Sequence, residues 1–238
     1  HPPAAGWAVL QQGGAGAEVV PAQDYVLAGV NGAGKSSIGA AALAVHGVPS
    51  FDPDLAARAL RDANPGLDIE AANGHAWAIG RAGLERALHE GAHYAFETTL
   101  GARTIPDLLQ AGAERGAAVH VWYAGLASPE LHLQRVRERV AAGGHDIPEA
   151  KIRERYVASR ANLIRLLPVL ASLRLFDNSA EGDPKQGRAP RPLPLLHMEG
   201  GRIVSHIAIE QVPQWAKPIF AAAFELAQKS QPSRGRAR

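Results

Sequence analysis

Residues 25–36 read Tyr-Val-Leu-Ala-Gly-Val-Asn-Gly-Ala-Gly-Lys-Ser, an apolar run of strand length that stops at Gly29 and leads into Gly34, Lys35 and Ser36. These four residues match the pattern G-x-x-x-x-G-K-[ST] position for position. Gly29, Gly32 and Gly34 let the backbone turn through positive φ and aim a row of N–H groups inward, where amide dipoles at a helix N-terminus hold an anion. Lys35 would reach the β- and γ-phosphates, and the Ser36 hydroxyl would ligate Mg²⁺. The stretch therefore predicts a nucleotide site made by Gly29, Asn31, Gly32, Ala33, Gly34, Lys35, Ser36 and Ser37, with a nucleotide phosphate and Mg²⁺ as ligands. A chance Gly-rich turn is the competing reading.

Working outward, Ser36 to Val45 reads as the helix that caps the loop, followed by a short strand at Val48–Phe51, the triplet Asp52-Pro53-Asp54 and a helix from Leu55 to Asp62. Residues 70–90 carry Ala76, Ile79, Gly83, Leu84, Ala87 and Leu88 at helical spacing. A strand at His93–Phe96 ends on Glu97-Thr98-Thr99, a helix covers Thr104–Arg115, and Val119–Ala124 is a buried strand. Ser128-Pro129 opens a helix as N-cap and first residue, and Gly143-Gly144 ends it. A further helix spans Pro148–Leu167, a strand Arg174–Asp177, and a Pro-rich loop Glu181–Pro194. Two short apolar runs joined by Gly200-Gly201 signal a hairpin, and Pro213–Gln228 closes as a helix.

Strands alternating with helices predict an α/β domain with a mainly parallel sheet. The expected organisation is a loosely attached arm over 1–22, one domain over 23–228 with a lid at about 135–155, and a basic flexible tail over 229–238. In such sheets ligands lie beyond the carboxyl ends of the strands. That edge collects the phosphate loop, Asp52 and Asp54, Glu97 with Thr98 and Thr99, Gly125, and Asp177 with Asn178, the last assigned to the nucleotide.

Phosphoryl transfer asks a protein for in-line positioning, charge neutralisation and an acceptor of the substrate proton. Asp54 is the candidate base, and Asp52 the candidate to reach Mg²⁺ through water; capping the helix at Leu55 is the competing use of both. Glu97 could hold the metal or a substrate hydroxyl, and Thr98, Thr99 and Arg103 sit where an acceptor would lie, with capping the alternative for the threonines. Arg135 and Arg139, four apart on one helix face, are candidates to stabilise the transferred charge; a solvated charged face is the alternative.

Composition excludes several classes. The chain has 238 residues, 46% hydrophobic and 20% charged, enough for one sizeable domain. Without Cys there is no disulfide framework, thiolate metal site or Cys nucleophile, which suits a cytoplasmic location. No apolar run approaches the roughly 18 residues of a membrane span, and the first residues lack a basic region followed by an apolar one. The net charge is +2, yet Lys229, Arg234, Arg236 and Arg238 lie in the acid-free last ten residues; the basic balance belongs to a tail, not to a nucleic-acid-binding face. The histidines, His75, His89, His93 and His120 among them, form no ligand pattern.

AGVNGAGKSS (28–37), DPD (52–54), FETTL (96–100), RVRERVAAGGHDIP (135–148), IRERYVASRANL (152–163) and FDNS (176–179), taken in this order, resemble the zeta toxin family of P-loop kinases over about residues 24–210. The segments GGHDIP and ERY are most similar to the short members of that family. The resemblance implies a P-loop, nucleoside-kinase-like fold using ATP or GTP and Mg²⁺ to phosphorylate a sugar hydroxyl, in the toxins the 3′-hydroxyl of UDP-N-acetylglucosamine, with a small antitoxin protein as possible partner. It implies Lys35 as the phosphate-loop Lys, Asp54 as the catalytic Asp, Glu97 on the substrate side, and Arg139 or Arg135 as the first lid arginine. No Arg stands near Gly144-His145, which leaves Arg153 or Arg155 as the second, Arg155 being the one assigned. The alternatives are a metabolic kinase of another small sugar or a dinucleotide, and a nucleotide-dependent switch or host-directed effector.

Overall fold

Strand β1 (Gln23–Ala28) is buried at every residue but Gln23, as expected of a strand covered on both faces of a parallel sheet. The computed structural model describes residues 23–36, 38–39, 50–144, 146–180 and 191–230. The N-terminal arm, Ser37, most of the helix after the loop, Val48-Pro49, His145, most of the Pro-rich stretch and the basic tail beyond Ser230 lie outside the described residues.

The elements that follow β1 are β2 (Ser50–Phe51), α1 (Pro53–Ala63), α2 (Ile69–Glu90), β3 (Tyr94–Thr98), α3 (Thr104–Glu114) and β4 (Ala118–Gly125). Then come α4 (Pro129–Ala141), α5 (Glu149–Leu166), β5 (Ser172–Asp177), the hairpin β6 (Leu193–Glu199) and β7 (Arg202–His206), and α6 (Lys217–Lys229). The seven strands lie in the order β2-β3-β1-β4-β5-β6-β7. The first five pair in parallel and the hairpin adds to β5 antiparallel, so the sheet is mixed.

One face carries the main core, in which Val26, Phe96, Val121 and Tyr123 meet Leu84, Leu163 and Ile219 from the helices. On the other face Tyr25, Leu27, Ala95 and Trp122 cluster. Gly39 belongs to a helical stretch after the loop that lies so close to β1 that a Cβ would stand 2.0 Å from Leu27 Cδ1. Among the described residues no helix is long and apolar enough to cross a membrane.

The boundaries shift in informative ways. Strand β3 runs on to Thr98, so Glu97 and Thr98 belong to the strand itself. Strand β5 begins at Ser172, and β6 takes in Leu193 and Pro194, the latter opposite Phe176 beside a register shift, where a missing N–H is tolerated. A 3₁₀ turn at Ile209–Gln211 delays α6 to Lys217. Ile79, counted with the apolar period of α2, is 46% exposed.

Candidate active site

The phosphate loop leaves β1 between its two neighbours. Gly29 adopts φ +141°, donates its N–H to the Thr98 carbonyl at 3.2 Å, and lies so close to β4 that a Cβ would stand 2.3 Å from the Ala124 carbonyl oxygen. The same crowding holds at Gly34, φ +80°, where a Cβ would meet the Asn178 amide nitrogen at 2.4 Å. That nitrogen donates to the Ala33 carbonyl at 2.8 Å, so the described contact of Asn178 is with the loop backbone. Lys35, Ser36, Ile38 and Gly39 are helical behind the loop, which sets its amides at a helix N-terminus.

Helix α4 lies over this loop. It starts at the Ser128 N-cap, whose hydroxyl accepts from Leu131 N–H at 3.2 Å. His132, buried to 1% exposure, donates from Nδ1 to the Asn31 carbonyl at 2.8 Å; because a carbonyl only accepts, the proton sits on Nδ1 of the ring. Burial first, then the cations Lys35, Arg135 and Arg160, push its pKa down to about 4 although the Asn31 bond opposes the shift. His132 was not singled out among the histidines, and its i, i+3, i+7 relation to Arg135 and Arg139 on α4 was the available signal.

The arginines separate by position. Arg139 bridges to Asp54, Nη1 to Oδ2, at 3.1 Å. Arg135 instead donates to the Ala180 carbonyl at 3.4 Å. From α5, Arg155 donates to the Asn31 side-chain oxygen at 2.8 Å. Arg153 is bound away from the site, to Glu130 at 2.7 Å and Glu149 at 2.8 Å.

Asp52 and Asp54 begin α1. The Asp52 carboxylate accepts from the N–H groups of Asp54 and Leu55, so the capping role is real, and Asp54 in the first helical turn lines the cavity and pairs with Arg139. From β3, Glu97 accepts from the Ser36 hydroxyl at 3.3 Å. Burial raises the Glu97 pKa, with Lys35 opposing and Asp52 and Asp54 reinforcing. Burial also lowers that of Lys35, and Glu97, Asp54 and Asp52 counter it. The acids and the loop lysine are therefore one electrostatic cluster.

Thr98 and Thr99 accept from the N–H groups of Leu100 and Gly101, bracing a turn in which buried Leu100 takes φ +50°, a left-handed conformation unusual for a branched apolar residue. Asn162 of α5 donates to the Leu100 and Ala102 carbonyls at 2.7 and 3.1 Å and fixes this wall. Arg103 is exposed and, unlike Ala102 and Thr104, does not line the cavity.

Lys35, Asp52, Asp54, Glu97, Thr98 and Arg155, but neither Arg135 nor Arg139, border a cavity of about 600 Å³, which runs from Asn31 and Lys35 past Asp54 and Glu97 to a wall formed by α2. Among the described residues there is no group of three or more His, Asp or Glu side chains able to hold a metal ion. Mg²⁺ needs no such group, because it takes one or two carboxylates and completes its shell with water and phosphate. The Ser36 hydroxyl paired with Glu97, with Asp52 close by, fits that demand.

No family model matches the chain. Among solved structures, a chain of the native AvrRxo1-ORF1:AvrRxo1-ORF2 complex has a TM-score of 0.56 at 19% identity, over 90% of this chain and 72% of that one. The same complex with ATP has a TM-score of 0.55 at 18% identity, and this chain spans 66% of the matched chain's length. A chain of the PezAT chromosomal toxin–antitoxin system of Streptococcus pneumoniae has a TM-score of 0.51 at 13% identity, over 89% and 88% of the two chains. At such identities the likeness is one of fold, the P-loop, nucleoside-kinase-like α/β fold with a C-terminal hairpin. A protein of Haemophilus influenzae, described as uncharacterized, is 35% identical over 130 residues, 54% of this chain and 88% of that protein. The chain belongs to the family of that Haemophilus influenzae protein.

Proposed function

We propose that this chain is a kinase that moves the γ-phosphate of ATP or GTP to a hydroxyl of a nucleotide sugar such as UDP-N-acetylglucosamine. The observation that carries this reading is the continuity of one cavity from Lys35 in the phosphate loop to the Asp54 and Glu97 carboxylates. A nucleotide switch needs no base and no acceptor chamber next to the γ-phosphate position. The resemblance to the zeta toxins supports the choice of acceptor.

In this mechanism the loop amides and Lys35 hold the donor phosphates. Ser36, Glu97 and, through water, Asp52 would hold Mg²⁺, which neutralises charge on the β- and γ-phosphates. Asp54 removes the proton as the acceptor oxygen bonds to the γ-phosphorus; the bond from that phosphorus to the β–γ bridging oxygen breaks, and the nucleoside diphosphate leaves. Arg139 beside Asp54 and Arg155 beside Asn31 supply guanidinium charge to the transferring group. The fold likeness to the PezAT and AvrRxo1 complexes supports extending the reading to a small antitoxin-like partner.

The test is mass spectrometry of nucleotide sugars incubated with the protein, ATP and Mg²⁺. One phosphate is gained with the native chain, and Asp54→Asn loses at least about a hundredfold in rate, the scale of general-base catalysis. Unchanged transfer by the variant removes Asp54 from its role.

A further inference from the structure

Helix α2 turns Glu70, Asn73, Gly74, Trp77 and Arg81 toward the cavity, positions three and four apart and so on one helical face. At 1.5 Å per residue this stripe is about 16 Å long, longer than a single sugar ring. Trp77 is 45% exposed there. Its indole is oriented by Arg81, whose guanidinium carbon lies 5.6 Å from the ring centroid and which is itself held by Glu85 at 2.7 Å.

The glycines of α2 sharpen the point. A mid-helix glycine weakens a helix and usually has a packing reason. Gly80 has one, since a Cβ would stand 2.5 Å from the Phe51 ring, and so has Gly83, against the Tyr94 hydroxyl at 2.5 Å. Gly74, one turn before Trp77, has no atom within 4 Å of its Cβ position. The room it leaves opens on the cavity beside the indole.

We propose that Trp77 and Gly74 form a stacking site for a planar nucleobase of the acceptor, which makes the acceptor a nucleotide-linked compound and not a free sugar. The inference rests on reading this cavity as the acceptor chamber of a kinase. Base-on-aromatic stacking tolerates any base, since each has a π-face, and the cavity is within the roughly 300–1,000 Å³ range of sites that enclose a whole ligand.

The probes are UDP-N-acetylglucosamine and nicotinamide adenine dinucleotide, with N-acetylglucosamine as the base-free control, added to full-length protein whose donor site is filled by a non-hydrolysable ATP analogue. Trp122 and Trp215 are buried, so Trp77 is the described tryptophan in position to report. At least one base-bearing probe should quench its fluorescence and the control should not. Trp77→Ala, and Gly74→Leu by filling the room, should each weaken that probe's binding, and raise its KM where it is phosphorylated, by roughly tenfold. KM for ATP should not move, and Trp77→Tyr should recover most of the loss.

Stacking is overturned if no base-bearing probe binds, if the base-free control binds as well, or if Trp77→Ala leaves probe affinity unchanged. Trp77-dependent binding without phosphate transfer keeps the stacking site and removes the kinase reading. Transfer to a base-free sugar, indifferent to Trp77, does the reverse.

Discussion

Replacing His132 with Gln removes a titrating ring from beside the phosphate loop and retains an amide that can donate to the Asn31 carbonyl. The native ring is buried to 1% exposure and its pKa falls from 6.5 to about 4. Between those values the unfolded chain binds a proton that the folded chain refuses, so stability falls as the pH falls. The contribution is whole above pH 6.5 and gone by about pH 4. Each pH unit is worth at most about 1.4 kcal/mol, and the whole window about 3 kcal/mol.

Urea unfolding followed by circular dichroism at several pH values between 7 and 4.5 measures it. Other groups titrate in both proteins, so the quantity to read is the difference between native chain and variant. The native chain should lose on the order of 2 kcal/mol more than His132→Gln between pH 6.5 and pH 5. Parallel losses in the two proteins, or an imidazole that titrates above pH 6 by NMR in the folded native chain, would refute the reasoning.

The carboxylate of Asp24, a residue fully buried in β1, has no hydrogen-bond partner among the described residues, and burial raises its pKa from 3.8 to about 7. Its sign is opposite to that of His132: the folded chain holds the proton, and the stability present below pH 3.8 is lost as the pH rises through 7. Asp24→Asn should therefore gain on the native chain by up to about 1.4 kcal/mol per pH unit across that window, read as urea midpoints at pH 5 and pH 8; a gap independent of pH would count against it. Gly29→Ala would press a Cβ against the Ala124 carbonyl, a backbone atom that cannot step aside, in a left-handed conformation. The expected outcome is a loss of about 2 kcal/mol or more in stability and of ATP-analogue binding by calorimetry; native-like binding would refute it.

Much of the donor half was legible because its signals are local. The phosphate loop is a contiguous run, and the rule that ligands gather at strand carboxyl ends sets Asp54 and Glu97 at the same edge of the sheet. The choice between Arg153 and Arg155 was not legible. Residues two apart on a helix point to nearly opposite sides, and only the packing of α5 decides that Arg155 meets Asn31 while Arg153 meets Glu130. The α2 wall of the cavity was hidden for a related reason: a helical period counts apolar residues, which finds the buried side of α2 at Ala76 and Leu84 and passes over the mixed stripe of Asn73, Gly74 and Trp77. Ile79 misled the same count, being apolar and exposed. The braces His132 and Asn162 act on backbone carbonyls about 100 and 60 residues away; the spacing of His132 with Arg135 and Arg139 puts the three on one face of α4 but does not tell which carbonyl the ring meets.

The central place of β1 has a consequence for synthesis. The loop it carries is complete as a sequence by Ser36, yet its flanks are β3, ending at Thr98, and β4, ending at Gly125. At 5–20 residues per second the ribosome needs roughly 4 to 18 seconds more before β4 exists. Arg155 and Asn178, which brace the loop, arrive later still. A nascent chain of this protein thus carries a readable phosphate-binding sequence long before it has a phosphate-binding site.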